Sequence, residues 1–155
     1  MNTPLFEVIR NEPGYVKLSD GTILIIRVVI TDIREIRREP TGLIFNVGHS
    51  VSVAAFSPES LKEIVKDKPK PVGLDYLKKL DVWEFIDIVE CKNSIDECLY
   101  YGSDGLTYRI SIEIEPTIAS RTLEFRDEFM NPVYFVRWSP KIITKIEKRM
   151  ERKMG

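Results

Sequence analysis

Few residues in this chain are of a kind that carries out chemistry, and they do not cluster. The single histidine, His49, lies in Asn46-Val47-Gly48-His49-Ser50. An imidazole titrates near neutral pH and is the natural general base. Yet no serine or cysteine sits in a recognisable nucleophile setting. One histidine with two cysteines also falls short of the four ligands of a typical zinc site. His49 is therefore expected to be a structural or surface residue. An enzyme site at the junction of the two halves of the chain, near His49, is the remotest of three functional readings.

Cys91 and Cys98 are the only cysteines, and their spacing is not that of a metal or redox motif. Were Asn93-Ser94-Ile95-Asp96 a hairpin turn, the two would face each other across paired strands. Opposed residues approach to about 4.5–5.5 Å, and a disulfide needs Cβ atoms about 3.5–4.5 Å apart. A Cys91–Cys98 disulfide is thus open to the sequence, with a reduced pair the favoured alternative. Asp20 and Asp104 could be named as paired carboxylates. Each lies in a Ser-Asp-Gly triplet, where Asp and Gly suit the backbone of a tight turn, so both are expected to be turn residues. There is no glycine-rich phosphate loop, metal-ligand cluster or nucleophile elbow, so neither catalysis, cofactor nor metal is expected.

The cations are more suggestive. Lys141, Lys145, Lys148, Arg149, Arg152 and Lys153 outnumber Glu147 and Glu151 near the end of the chain, beside an apolar series Ile142, Ile143, Ile146, Met150 and Met154. This reads as a basic terminal helix packed by its apolar stripe. Tyr100, Tyr101, Tyr108, Tyr134 and Trp138 accompany Arg109, Arg121, Arg126 and Arg137, a mixture that stacks on single-stranded nucleic acid when it is exposed. The nucleic-acid reading rests on Arg109, Arg121, Arg137, Lys145, Arg149 and Arg152.

Bulk properties narrow the frame. With 43% hydrophobic and 30% charged residues in 155, the chain can pack a core. A net charge of -1 gives no general attraction to polyanions or acidic membranes. No apolar run approaches the roughly 20 residues that span a bilayer, and Met1-Asn2-Thr3-Pro4 does not begin a secretory signal. A cytoplasmic location without membrane contact is expected. Glutamine is absent while Ile, Glu, Lys and Arg abound, a hyperthermophile trait.

The elements that must position these residues are strands. Short strands are expected over Leu5–Ile9 and Tyr15–Leu18, separated by a turn at Asn11-Glu12-Pro13-Gly14. Ser19-Asp20-Gly21 then opens an apolar run in which Leu24, Ile26, Val28 and Ile30 share one face. After Thr31 the apolar phase slips to Ile33, which predicts a bulge or a strand end. Leu43–Phe45 and Val51–Phe56 read as strands interrupted by a loop or bulge. Ser57-Pro58-Glu59 reads as the start of a helix carrying Leu61, Ile64 and Val65, with Ser57 as N-cap. Lys66 to Pro71 breaks that helix, Leu74–Leu80 is one or two helical turns, and Trp83–Val89 is a strand.

A second Ser-Asp-Gly, at 103–105, repeats this order. Tyr108, Ile110, Ile112 and Ile114 match the first buried series, and Ser139-Pro140 matches Ser57-Pro58. The fold class is therefore mainly β (β-rich α+β). Two tandem repeats of a small antiparallel meander or barrel-like module, at 1–68 and 69–155, each end in a short helix; one merged sandwich is the alternative. In the second copy Thr107, Arg109, Ser111, Glu113 and Glu115 are polar on the outward face. The first copy keeps Ile23, Ile25 and Val29 there, so an intramolecular or homo-oligomeric interface is expected on that face. The leading functional reading is a binding or scaffolding protein acting through protein–protein contacts, itself or another protein being the partner.

Overall fold

The computed structural model describes residues 6–74 and 78–147. The chain is mainly β. Among the described residues nine strands run in the order β1 Phe6–Glu12, β2 Gly14–Leu18, β3 Ile23–Glu39, β4 Gly42–Phe56, β5 Glu84–Ile86, β6 Ile88–Lys92, β7 Ser94–Tyr101, β8 Thr107–Arg126 and β9 Pro132–Ile146. One helix, α1 Glu59–Val65, follows β4, and a 3-10 turn covers Leu80–Val82.

All pairings are antiparallel and fall into two sheets. One is ordered β4-β3-β2-β6. The other is ordered β1-β7-β8-β5, with β9 on the opposite edge of β8. Neither closes into a barrel. The sheets face each other across one core to which both contribute: Leu24, Ile26, Val28 and Ile30 from β3, and Tyr108, Ile110, Ile112 and Ile114 from β8. None of these eight is more than 3% exposed. The alternation of apolar residues dictates this, because successive side chains leave a strand on opposite faces.

The two Ser-Asp-Gly triplets form the expected hairpins, and the same bonds close both. Asp20 Oδ1 accepts from the Thr22 amide at 2.8 Å, and Asp104 Oδ1 from the Leu106 amide at 3.0 Å. Gly21 and Gly105 each donate to the carbonyl three residues back at 3.0 Å. Their φ angles of 91° and 83° are ones that glycine adopts without a Cβ clash. Each hairpin continues into a third strand, so β2-β3-β4 and β7-β8-β9 are meanders of the same order.

The phase slip after Thr31 is a bulge: Ile30 faces His49, whereas Asp32 faces Gly48. A matching bulge lies at Thr117, between Pro116 and Ile118. Each extra residue exchanges the strand's faces. Hence Arg109 points out of its sheet, while Arg121, beyond Thr117, points in.

One expected turn, and one that a disulfide would have required, prove to be bends. Asn11-Glu12-Pro13-Gly14 does not reverse the chain, because β1 pairs with β7 and β2 with β3 and β6. The same holds at Asn93, where β6 in one sheet runs on into β7 in the other. Residues 6–18 and 88–101 thus form one antiparallel ribbon. Its register carries through both bends, from Glu12↔Ile95 to Tyr15↔Lys92. Each half of the chain lends a strand to the other half's sheet. Pro-Gly and Asn-Ser mark a bend in an extended chain as readily as a reversal, and the choice is made by what each strand pairs with.

Three local expectations also need correction. β4 is continuous through Asn46–Ser50, and the irregularities lie in its partner β3. α1 starts at Glu59 with Pro58 as N-cap and no side-chain cap. The Ser57 hydroxyl is instead 2.9 Å from that of Thr22. Ser139-Pro140 opens no second helix: both lie inside β9, and residues 141–146 are strand paired with β8. Its apolar residues pair with Tyr108–Ile114, a stronger demand than helical spacing. Residues 148–153 of the expected basic helix lie outside the described residues, as does part of the turn expected over Leu74–Leu80.

Candidate functional site

The two hairpins build the densest polar clusters, and each draws on both halves of the chain. Asp20 Oδ2 accepts from Tyr134 Oη at 2.5 Å and from Arg121 Nη1 at 2.9 Å. Arg121 Nε also reaches Glu84 at 3.2 Å, and Tyr134 Oη lies 2.7 Å from Thr22 Oγ1. Burial, reinforced by the Asp20 carboxylate, pushes the Tyr134 phenol up to about 12. A cleft of about 330 Å³ lies beside this cluster, lined by Ser19, Asp20, Glu84–Asp87 and Arg121.

At the other hairpin Asp104 Oδ2 accepts from Tyr108 Oη at 2.7 Å and from Arg38 Nη1 at 3.2 Å. The Tyr108 bond, with the Leu106 amide and Arg38, lowers the Asp104 carboxyl against its burial. Glu35 accepts from the Ser103 amide at 3.0 Å and from Tyr100 Oη at 2.8 Å, and also from the Ser103 hydroxyl. The Ser103 bonds lead in lowering its carboxyl. Asp20 and Asp104 thus sit in separate clusters, each closing its own turn and pairing with an arginine of the opposite half. In each cluster a phenol stands beside a carboxylate that accepts three donors, which ties the hairpin to the opposite half of the chain.

His49 lies on β4 opposite Ile30 and is half-buried. Among the described residues no group of three or more His, Cys, Asp or Glu is placed to hold a metal. Both cysteines are free, Cys91 exposed on β6 and Cys98 buried on β7. They lie on either side of the bend at Asn93. Seven residues of extended chain span up to roughly 23 Å, whereas a disulfide needs Cα atoms within about 7 Å. The hairpin that would have set the two cysteines opposite each other is absent. Burial and the nearby Asp96 and Glu97 push the Cys98 thiol up to about 11. A thiol reagent should modify one cysteine, Cys91, in the native protein and two in denaturant. Two rapid native modifications would contradict the burial of Cys98.

The candidate nucleic-acid contacts do not converge. Arg109 pairs with Glu147 and with Glu97 on the outer face of β8. Arg121 is spent on Asp20 and Glu84 between the sheets. Arg137 and Lys145 are exposed on β9, and Arg149 and Arg152 lie outside the described residues. Tyr100 and Tyr108 are core residues, packed edge-on against Phe45 at 5.0 Å.

What the fold does bring together is apolar surface. On the outer face of β3, Ile23 and Val29 are 37% and 47% exposed, with Ile25 half-buried between them. Phe56, directly opposite Ile23 on β4, is 60% exposed. The Trp83 ring stacks edge-on with Phe135 of β9 at 6.4 Å. A second apolar feature was not anticipated: a groove of about 490 Å³ lined by Val53 of β4 and Tyr134–Trp138 of β9. It opens where β4 and β9 are the free edges of their sheets. The uncharged run of β4 was its signal in the sequence. Among the described residues no helix is long and apolar enough to cross a membrane, which leaves membrane crossing by strands unaddressed. No family model, no curated protein and no solved structure matches this chain.

Proposed function

We propose that this chain is a binding or scaffolding protein, descended from a duplicated β meander, that works through protein–protein contacts and self-association. The observation that carries the reading is the apolar row Ile23, Ile25, Val29 and Phe56 on an outer face that the described residues leave exposed. Arg27 interrupts the row between Ile25 and Val29, yet apolar residues gathered on one outer face mark interaction sites where scattered single residues do not. The duplication draws support from the matching Asp-closed turns, and from the reciprocal pairs Asp20–Arg121 and Asp104–Arg38. A cytoplasmic setting belongs to the same reading, supported by the two unbridged thiols. Protein is preferred to nucleic acid as the partner because Arg109 and Arg121 already spend their charge on carboxylates.

Light scattering tests the proposal. The wild-type protein should have a mass above that of one chain. Ile25→Lys with Val29→Lys should reduce that mass while the far-ultraviolet β signal is kept. A double variant of unchanged mass and unchanged stability would count against the proposal.

A further inference from the structure

The longest free edges of the two sheets differ in a way that points to a specific partner. β4 and β9 are both 15 residues long, and among the described residues each has a neighbour on one side only. An unpaired edge exposes a row of amide and carbonyl groups, and proteins blunt such edges with charges and prolines. β9 carries both, in Pro132, Pro140, Arg137, Lys141 and Lys145. β4, Gly42–Phe56, has neither; it is the one described strand without a charged side chain.

The hydrogen bonds of β4 show which backbone groups face outward. Asn131, from the β8–β9 connection, donates to the Ala55 carbonyl at 3.0 Å and accepts from the Ser57 amide at 2.9 Å. Ala55 therefore turns its carbonyl away from β3. Backbone groups of an antiparallel strand alternate between its two sides, so Val53, Val51 and His49 present theirs outward too. Asn131 fills the last place on this edge and stops any added strand at Ala55.

We infer that two copies of this chain pair antiparallel along β4, about a two-fold axis at Val51, to make one continuous eight-stranded sheet. That axis sets Val53 opposite the partner's His49 and Ser52 opposite the partner's Ser50. The second copy is the occupant this strand fits. A charge-free edge is matched by a charge-free edge, and identical strands related by a two-fold axis are self-complementary. Both strands are already held in their sheets, so neither loses the conformational freedom that a disordered peptide would lose on pairing. Side chains of the added strand opposite Val51 and Val53 share their inward face and extend the wall of the β4–β9 groove. The inference rests on the proposed self-association alone and moves its surface from the outer row of β3 to the β4 edge, a difference that the variants below decide.

Three proteins test it: wild type, Ser50→Glu/Ser52→Glu and Ser50→Lys/Ser52→Glu. Both serines are exposed on the outer face, where Ser52 lies opposite Arg27 and Ser50 opposite Val29. The substitutions therefore leave the core untouched, and circular dichroism should confirm that each variant folds. Wild type should be a dimer by light scattering, with the Val51 and Val53 amides slow to exchange. The double-glutamate variant, with four carboxylates across the axis, should dissociate at least 100-fold more readily and exchange both amides quickly. The lysine–glutamate variant should dimerise again, because each lysine then faces a glutamate. Three results would overturn the inference: a monomeric wild type, a double-glutamate dimer with both amides still protected, or a lysine–glutamate variant that stays monomeric. A dimer lost to Ile25→Lys/Val29→Lys but kept by the double-glutamate variant would leave the proposed function standing and remove the edge from it.

Discussion

Gly14→Ala should cost this protein about 3 kcal/mol or more, or prevent it from folding. Gly14 is buried where the bend at Pro13 crosses the bend at Asn93. A methyl group there would lie 2.5 Å from the Ser94 amide nitrogen and 2.8 Å from the Asn93 carbonyl carbon, closer than real Cβ atoms come. Both obstacles are backbone, held by ladders on either side, so neither can swing aside as a flexible side chain would. Relief would require the two strands to part at the point where the ribbon passes between the sheets. Gly105→Ala is the matched control: nothing lies within 4 Å of its added methyl, and only its φ of 83° is strained. That strain is about 1–2 kcal/mol. Urea denaturation of both variants should therefore rank Gly14→Ala well below Gly105→Ala. A Gly14→Ala variant that unfolds at the wild-type midpoint would show that the two bends do not cross in contact.

Asp96→Ala should be almost as damaging, at about 3 kcal/mol. Asp96 is fully buried. Its Oδ2 accepts from the Ile30 amide at 2.6 Å and its Oδ1 from Asn11 Nδ2 at 3.0 Å. The same Asn11 nitrogen donates to the Val28 carbonyl at 2.9 Å. The Ile30 amide points away from β4, on the side where β2 pairs with β3 only as far as Ile26, and Asp96 supplies it with an acceptor. Alanine would leave a buried donor unpaired, and an unmade bond costs more than a made bond contributes. Asp96→Asn keeps an oxygen for one of the two donors and should lose only about half as much. Equal stability of Asp96→Ala and wild type in thermal unfolding would show that this carboxylate does not hold β3 to the β1–β7 ribbon.

Much of the fold is legible in the chain because it depends on local alternation. The two buried series, Leu24 to Ile30 and Tyr108 to Ile114, arise from period-two apolar spacing alone. Both hairpin turns come from Ser-Asp-Gly. The slip at Thr31 reads as a bulge or a strand end, since an extra residue must exchange the faces of a strand, and β3 continues past it to Glu39. By contrast, the helix expected beyond Ser139-Pro140 fails from Lys141 to Ile146 because its signals were borrowed from the first copy. Ser-Pro can start a helix, yet it can also sit within an edge strand, and here β8 extends far enough to pair with residues 141–146.

The candidate site divides in the same way. Cys91 and Cys98 invite a disulfide only if the chain turns between them. Arg109 and Arg121 look like one basic set until the bulge at Thr117 sends them to opposite sides of β8. Asp96 reads as a surface turn residue and is instead fully buried. The row Ile23, Ile25 and Val29 was visible as a greasy outer face, but not whether the chain covers it.

Order along the chain thus settled the strand-forming segments, their buried sides and the two tight hairpins, since each depends on residues close in sequence. Which strands sit side by side, where Pro13 and Asn93 bend instead of reversing, and which edge stays bare were decided only in three dimensions. Those outcomes depend on pairings between residues some 85 positions apart, such as Asn11 with Asp96, and no local pattern encodes them.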